Sequence, residues 1–109
     1  MIHKKPSADG QQVIVTFEIP GTIWAERINL VGDFNDWDQD NIPFQRNRRD
    51  NWQVELALPV GHEYRFRYLF DGRHWRDEWQ ADKYIPNNHG SFDSIIVTTL
   101  PSPTAGPAA

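Results

Sequence analysis

Fifteen acidic side chains have the chemical type needed for acid–base catalysis. Six of them fall in two turn-rich segments: Asp33, Asp36, Asp38, Asp77, Glu78 and Asp82. A glycosidase holds two carboxyl groups about 5–10 Å apart across a cleft, and the spacing of these acids does not indicate such a cleft. Acids in turn-rich segments generally bond to the local backbone and keep the surface hydrated. We therefore expect no catalytic residues and predict that the chain is not an enzyme.

The four histidines show no metal-binding spacing. They are His3, His62, His74 and His89, and no two are two or four residues apart, as two ligands on one side of a strand or helix would be. The chain has no cysteine, which excludes disulfides and thiolate ligands. It also has no glycine-rich phosphate loop and no Gly-x-Ser-x-Gly turn. We expect no metal and no cofactor.

The aromatic side chains are more informative. Five Trp, three Tyr and six Phe make up 13% of the chain, and one small core does not easily accept five indoles whose N–H groups need partners. An exposed indole can stack on the C–H face of a sugar, where burying ~100 Å² contributes about 2–3 kcal/mol before entropy costs. Trp37 in a polar loop, Arg67 in mid-strand and Trp75 after a turn are predicted to meet on one sheet face.

Each of these aromatic and basic residues also has a purely structural interpretation. Trp24 and Trp52 fall near apolar positions, so we expect both in the core. Trp37 could instead anchor its loop against the end of the fold, since tryptophan is so often partly buried. Arg67 could simply pair with Glu55 across a sheet.

The elements that must position these residues are short strands. Alternation of apolar and polar residues, bounded by turn signals, predicts strands at 13–19, 27–31, 43–47, 52–58, 63–70, 74–79 and 94–99. Asp71-Gly72 is a strong hairpin signal, and residues 80–93 look irregular. The prediction is an all-β, antiparallel sandwich of about seven strands, with a flexible arm at 1–12, one domain at 13–100 and a disordered Pro/Ala-rich tail at 101–109.

Charge and hydropathy exclude two classes of partner. The net charge is −4, whereas nucleic-acid binding generally needs a basic face. No apolar run approaches the roughly 20 residues of a membrane helix, and the charged start of the chain is not followed by the apolar stretch of a secretory signal. We expect no nucleic acid, no membrane and a cytoplasmic location.

Three sequence blocks, in order, resemble a known family. They are LVGDFNDW at 30–37, YRFRYLFDG at 64–72 followed by Trp75, and NNHGSFDSIIV at 87–97. Together they resemble carbohydrate-binding module family 48, an early-set, immunoglobulin-like domain. It precedes the catalytic barrel in isoamylases and glycogen branching enzymes, forms the glycogen-binding domain of the AMP-activated protein kinase β subunit, and also occurs as single-domain bacterial proteins.

The resemblance implies roles for five residues. Trp37 and Trp75 correspond to the two tryptophans that stack on glucan, Trp75 being displaced by one position relative to the kinase domain. Arg67 corresponds to the basic residue that bonds hydroxyls, which is lysine in the kinase domains. Asp93 takes the place of a hydroxyl-bonding asparagine at the rim of the site. His89 stands where the kinase domains often carry a leucine that inserts through a sugar ring.

Three functions are compatible with these features. The resemblance implies a non-catalytic module that binds α-1,4-glucans such as glycogen, starch or maltooligosaccharides. An alternative is a protein-interaction module whose aromatic face docks a glucan-processing enzyme or a kinase. A third is a detached accessory domain of a branching or debranching enzyme. A polar rim around the two tryptophans would favour the first.

Overall fold

Two antiparallel β-sheets stack face to face in the computed structural model, which describes residues 2–78, 80–87 and 92–99. The strands are β1 (Ile2–Pro6), β2 (Gln12–Ile19), β3 (Ile28–Gly32), β4 (Gln45–Arg46), β5 (Trp52–Pro59), β6 (Glu63–Phe70), β7 (His74–Arg76), β8 (Lys83–Pro86) and β9 (Phe92–Val97). The first sheet has the order β1-β2-β5-β4, and the second has the order β3-β6-β9-β8, with β7 also paired to β6. The predicted all-β sandwich is confirmed.

The core lies between the sheets and follows the alternation in the sequence. Val13, Val15 and Phe17 of β2 are fully buried, and they face Phe66 and Tyr68 of β6. The rings of Phe17 and Phe66 pack edge to face with centroids 5.2 Å apart, an arrangement that aromatic pairs favour. Because successive strand residues point to opposite faces, the residues that alternate with Phe66 and Tyr68 along β6 point outward.

The segment 42–46 passes from one sheet to the other. Leu30 N–H donates to the Ile42 carbonyl at 2.9 Å, and Phe44 N–H donates to the Ile28 carbonyl at 2.8 Å. The next two residues, Gln45 and Arg46, pair with β5 in the first sheet. This crossing closes one side of the sandwich and explains why β4 is only two residues long.

The Asp71-Gly72 turn forms as predicted. Both residues have positive φ, 55° and 72°, and Arg73 N–H donates to the Phe70 carbonyl at 3.1 Å, as in the type I′ turns that suit hairpins. The Asp71 side chain also accepts bonds from the N–H groups of Glu26 and Arg27 at 2.8 and 3.0 Å. These bonds tie the hairpin tip to the segment that precedes β3.

Two predictions about the strands were wrong. The expected flexible arm at 1–12 contains β1, whose Ile2 lies opposite Phe17 on β2. The expected irregular segment at 80–93 contains β8, which pairs with β9. Both are strands with little apolar alternation of their own, so their conformation depends on the neighbouring strand. The predicted tail at 101–109 lies outside the described residues.

The assignment of Trp24 to the core was also wrong. Trp24 is 79% exposed, whereas Trp52 is 7% exposed and belongs to the core as predicted. The neighbours of Trp24 explain the difference, because Ala25 is buried and Ile23 packs against the core. With both neighbours turned inward, the side chain between them faces solvent.

Candidate functional site

The outer face of the second sheet collects most of the predicted residues. Arg65 and Arg67 lie on the outward side of β6, since they alternate with the buried Phe66 and Tyr68. Trp75 pairs with Leu69 across the β6–β7 hairpin, so it shares their face.

Asp93 reaches this face from another strand. Arg65 lies opposite Ile95 on β9, and Asp93 is two residues before Ile95, so the period of two places it on the same side as Arg65. The outward face of one sheet therefore carries two arginines, an indole and a carboxylate from three strands.

Trp37 joins this face from the loop after β3. A short 3₁₀ turn spans Asp33–Asn35, and Asp36 and Trp37 follow in left-handed conformation with φ of 55° and 58°. Such a conformation is uncommon for a bulky residue and costs on the order of 1–3 kcal/mol. The surrounding bonds hold it, since Trp37 N–H donates to the Gly32 carbonyl at 2.9 Å.

Asp33 connects the indole of Trp37 to the sheet. One carboxylate oxygen, Oδ1, accepts from Trp37 Nε1 at 2.8 Å, and the other, Oδ2, accepts from the backbone N–H of Arg65 at 2.8 Å. A charged acceptor makes both bonds stronger than neutral ones. The orientation of the Trp37 ring is thus fixed relative to β6.

Asn35 and Gly32 of the 30–37 block also have structural roles. The Asn35 side chain accepts from Gly32 N–H at 3.0 Å and donates to the side-chain oxygen of Asn41 at 2.8 Å and to the Asp38 carbonyl at 3.1 Å. At Gly32, a Cβ atom would lie 2.4 Å from the Arg65 carbonyl oxygen, so only glycine permits this approach of loop and strand.

An open groove of about 720 Å³ lies over this face. Four of the residues that line it are predicted ones: Trp37, Arg67, Trp75 and Asp93. Four others were not predicted: Gln39, Arg65, Pro86 and Asn87. Two indoles from separate elements therefore border one groove together with guanidinium and amide groups.

Arg67 is held in a defined orientation. Its Nε donates to Asp77 Oδ1 at 3.0 Å, and its guanidinium carbon lies 5.7 Å from the centre of the Trp75 ring, within cation–π range. Only one of the five N–H donors of the guanidinium is used in the bond to Asp77. The alternative pairing with Glu55 was wrong, because Glu55 belongs to β5 in the other sheet.

Asp93 lies deeper than the expected rim position. It is only 7% exposed, accepts from Asn87 Nδ2 at 3.1 Å, and has a carboxylate oxygen 3.7 Å from Arg65 Nη1. These contacts suit a residue that fixes Asn87 and Arg65 at the groove. His89 lies outside the described residues.

Sequence reasoning missed Arg65, Gln39 and Asn87. Arg65 had a usable signal, because it stands two residues before Arg67 in the same strand and must share its face. Asn87 and Gln39 stand in polar turn segments, where no local pattern distinguishes groove residues from other surface residues.

Comparison with known proteins assigns the family. The model of "Carbohydrate-binding module 48 (Isoamylase N-terminal domain)" matches residues 22–85. The chain belongs to this family. The match includes Trp37, Arg67 and Trp75 but ends before Asp93, and membership of carbohydrate-binding module family 48 indicates carbohydrate binding in general.

One curated relative is similar over much of this domain. It is the 1,4-alpha-glucan branching enzyme GlgB of Thiobacillus denitrificans, which is 36% identical over 67 residues. The aligned region covers 57% of this chain but only 9% of that enzyme. The chain thus corresponds to a small part of its relative.

Within residues 2–78, 80–87 and 92–99, no helix has the length and apolar character needed to cross a membrane. In the same part of the chain, no three His, Asp or Glu side chains are grouped so that they could hold a metal ion.

Proposed function

We propose that this chain is a non-catalytic module that binds α-1,4-glucans, such as glycogen, starch or maltooligosaccharides, in the groove between Trp37 and Trp75. The observation that carries the proposal is that these two indoles, from a loop and a hairpin strand, line the same groove. Flat aromatic surfaces suit the C–H faces of glucose rings. The nearby arginines, Gln39 and Asn87 offer donors and acceptors for hydroxyl groups.

The charges of the groove suit a neutral ligand. Arg67 is paired with Asp77 at 3.0 Å and Arg65 lies 3.7 Å from Asp93, so each cation has a carboxylate beside it. Such pairs present hydrogen-bond donors without a large net field. An uncharged sugar polymer therefore fits this lining better than an anionic ligand would.

The same pairs support a role without catalysis. Asp93 lines the groove and Asp77 is bonded to Arg67 of its lining; each of these carboxylates is engaged by an arginine, with Asn87 as a further partner of Asp93. A glycosidase needs one carboxylic acid to donate a proton and a second carboxylate to act from the other side of the sugar. Two carboxylates committed to arginines are poorly suited to those roles.

The alternative is that the same face docks a protein, for example a glucan-processing enzyme. The similarity to a branching enzyme gives this alternative a basis. The polar lining of the groove favours sugar over a protein surface, because the apolar area between the indoles is interrupted by side chains that need hydrogen bonds.

Single substitutions of the two tryptophans test the proposal. Trp37→Ala and Trp75→Ala are each expected to weaken maltoheptaose binding by roughly five- to a hundredfold, about 1–3 kcal/mol of lost stacking, in isothermal titration calorimetry. Arg67→Ala should weaken binding less, because a bond to a hydroxyl exchanges with water. The matched control is Val60→Ala, which truncates an exposed apolar side chain in the turn between β5 and β6.

Polysaccharide co-sedimentation gives the complementary result. The protein is expected to sediment with glycogen and amylose but not with cellulose, and salt should have little effect because the ligand is neutral. If maltoheptaose gives no heat up to millimolar concentration and glycogen does not retain the protein, the groove is assigned to a protein partner instead.

A further inference from the structure

Trp24 presents an indole to solvent on a part of the molecule away from the groove. At 79% exposure, it is the most exposed of the large apolar side chains in the described part of the chain. Its outward direction is enforced, since Ala25 is buried and the Ile23 carbonyl accepts from Trp52 Nε1 at 3.4 Å. The folded chain thus holds a large apolar side chain in solvent at a defined position.

The surroundings of Trp24 form a second, smaller cavity. It has a volume of about 480 Å³ and is lined by Trp24, Glu26, Arg27, Asp71, Arg73 and His74. Its walls come from the segment before β3 and from the tip of the β6–β7 hairpin.

This second cavity is built from tightly connected backbone. Asp71 Oδ1 accepts from the N–H groups of Glu26 and Arg27, and Asp71 N–H donates to the Arg27 carbonyl at 2.9 Å. The Arg27 guanidinium lies against Gly72, where a Cβ atom would be 2.7 Å from its Nη2. The backbone of both walls and the Asp71 side chain are thus already positioned, which lowers the entropy cost of binding.

We propose that this cavity is a second carbohydrate-contact site, with Trp24 as its stacking platform. The ligand class follows from composition, because an indole is combined with arginine, histidine and carboxylate groups as rim partners. The two arginines and the two acids of the lining balance in charge, which again suits a neutral, polyhydroxylated ligand. For its ligand class, the inference rests on the function proposed above.

The two sites cannot share one sugar ring. Trp75 and His74 are consecutive in β7, so their side chains point to opposite faces of the strand. Trp75 lines the groove, whereas His74 lines the cavity of Trp24. A polymer can reach both sites, or two chains of one glucan particle can occupy them, and such bivalent contact raises retention without any new bond.

An NMR titration of the full chain with maltotriose reads each site separately. The backbone and indole signals of the groove residues are expected to shift, and those of Trp24, Arg27, Arg73 and His74 are expected to shift as a second set. Trp24→Ala should abolish the second set and leave the first unchanged, while Trp24→Phe should retain part of it. If the second set does not move when the groove is saturated, the inference is overturned.

The same titration separates this inference from the proposed function. In the variant Trp37→Ala/Trp75→Ala the groove signals should stop responding, while the Trp24 set still titrates. Movement of the Trp24 set alone in the unmodified protein would support the second site and contradict the groove. Movement of the groove set alone would support the groove and contradict the second site.

Polymer retention provides an independent check. In affinity electrophoresis through gels that contain glycogen, Trp24→Ala should reduce the apparent affinity about tenfold, because bivalent contact is lost. Its affinity for maltotriose in the groove should remain unchanged, and Val60→Ala should migrate like the unmodified protein. Equal retention of Trp24→Ala and the unmodified protein would overturn the inference.

Discussion

Asp33 shows how one side chain determines the geometry of the candidate site. Sequence alone assigns it to a polar loop, whereas its two oxygens join the indole of Trp37 to the backbone of Arg65. The left-handed backbone of Trp37 adds strain to the same loop. The position of the Trp37 indole thus depends on a residue that does not itself line the groove.

Replacing Asp33 should therefore affect binding as well as stability. Asp33→Ala removes the acceptor of two N–H groups, and we expect a loss of about 1–3 kcal/mol in the free energy of unfolding and clearly weaker maltoheptaose binding. Chemical denaturation and calorimetry measure the two effects. Asp40→Ala, which removes an exposed acid of the same loop, should change neither; unchanged binding in Asp33→Ala would contradict the assigned role.

At the level of elements, the contact between the end of β3 and β6 requires a glycine. Gly32→Ala would bring a Cβ atom to 2.4 Å from the Arg65 carbonyl oxygen and to 2.8 Å from Phe66 Cβ. Because both are held in the sheet, we expect a loss of about 3 kcal/mol or more in stability.

Gly61→Ala is the matched comparison for that glycine. Gly61 has nothing within 4 Å of its would-be Cβ, although its φ is +88°, so only the backbone conformation opposes the substitution, at about 1–2 kcal/mol. Urea denaturation measures the free energy of unfolding of Gly32→Ala and Gly61→Ala. A similar loss of stability in both variants would show that the close approach of β3 to β6 does not add to the cost of replacing Gly32.

The turn between β4 and β5 is fastened to β2 by a carboxylate. Glu18 is 3% exposed, accepts from Asn47 at 2.8 Å and from Asn51 at 3.0 Å, and lies 3.1 Å from the Arg49 guanidinium. The bonds from Asn51 and Asn47, and then the charges of Arg49 and His3, lower the pKa of Glu18 below its ordinary value.

This lowered pKa gives stability a pH dependence of definite sign. A carboxyl whose pKa is lower in the folded state stabilises the protein above its unfolded pKa, and that contribution is lost as the pH falls through the folded value. Glu18→Gln should therefore reduce the melting temperature at pH 7, and the reduction should shrink at an acidic pH below the folded pKa of Glu18, where both side chains are neutral. An equal reduction at both pH values would show that charge is not involved.

At the scale of the whole molecule, the tryptophans divide between the core and the surface. Trp52 is 7% exposed and has the Arg46 guanidinium 4.4 Å from its ring centre, so it belongs to the packing of the sandwich. Trp37 and Trp75 are half-buried at the groove, and Trp24 is exposed.

Truncating Trp52 should consequently have the opposite profile to truncating the groove tryptophans. Trp52→Ala is expected to lower the free energy of unfolding by about 3–5 kcal/mol, with glucan affinity retained in the fraction that stays folded. Trp37→Ala and Trp75→Ala should cost far less stability while weakening binding. Denaturation and titration of all three variants check this; if the groove variants proved as unstable as Trp52→Ala, these indoles would be packing residues.

The sequence by itself determined the long strands and the hairpin. In β2, β5 and β6 the alternation of apolar and polar residues is local, and a residue's face follows from its parity. Arg67 and Trp75 could be placed together for the same reason, since the Asp71-Gly72 turn joins their strands directly. Trp37 was expected on the same face because its polar loop disfavours core burial, and the resemblance carried by the 30–37 block assigned it a matching role.

Only the tertiary structure decided the rest. Strands β1 and β8 form on partners distant in sequence, Trp24 is turned outward because Ile23 and Ala25 are turned inward, and Asp93 is buried by its contacts with Asn87 and Arg65. The physical reason is common to these cases. Periodicity reports which side of its own strand a residue occupies, whereas edges, loops and buried charges are fixed by whichever segment packs against them.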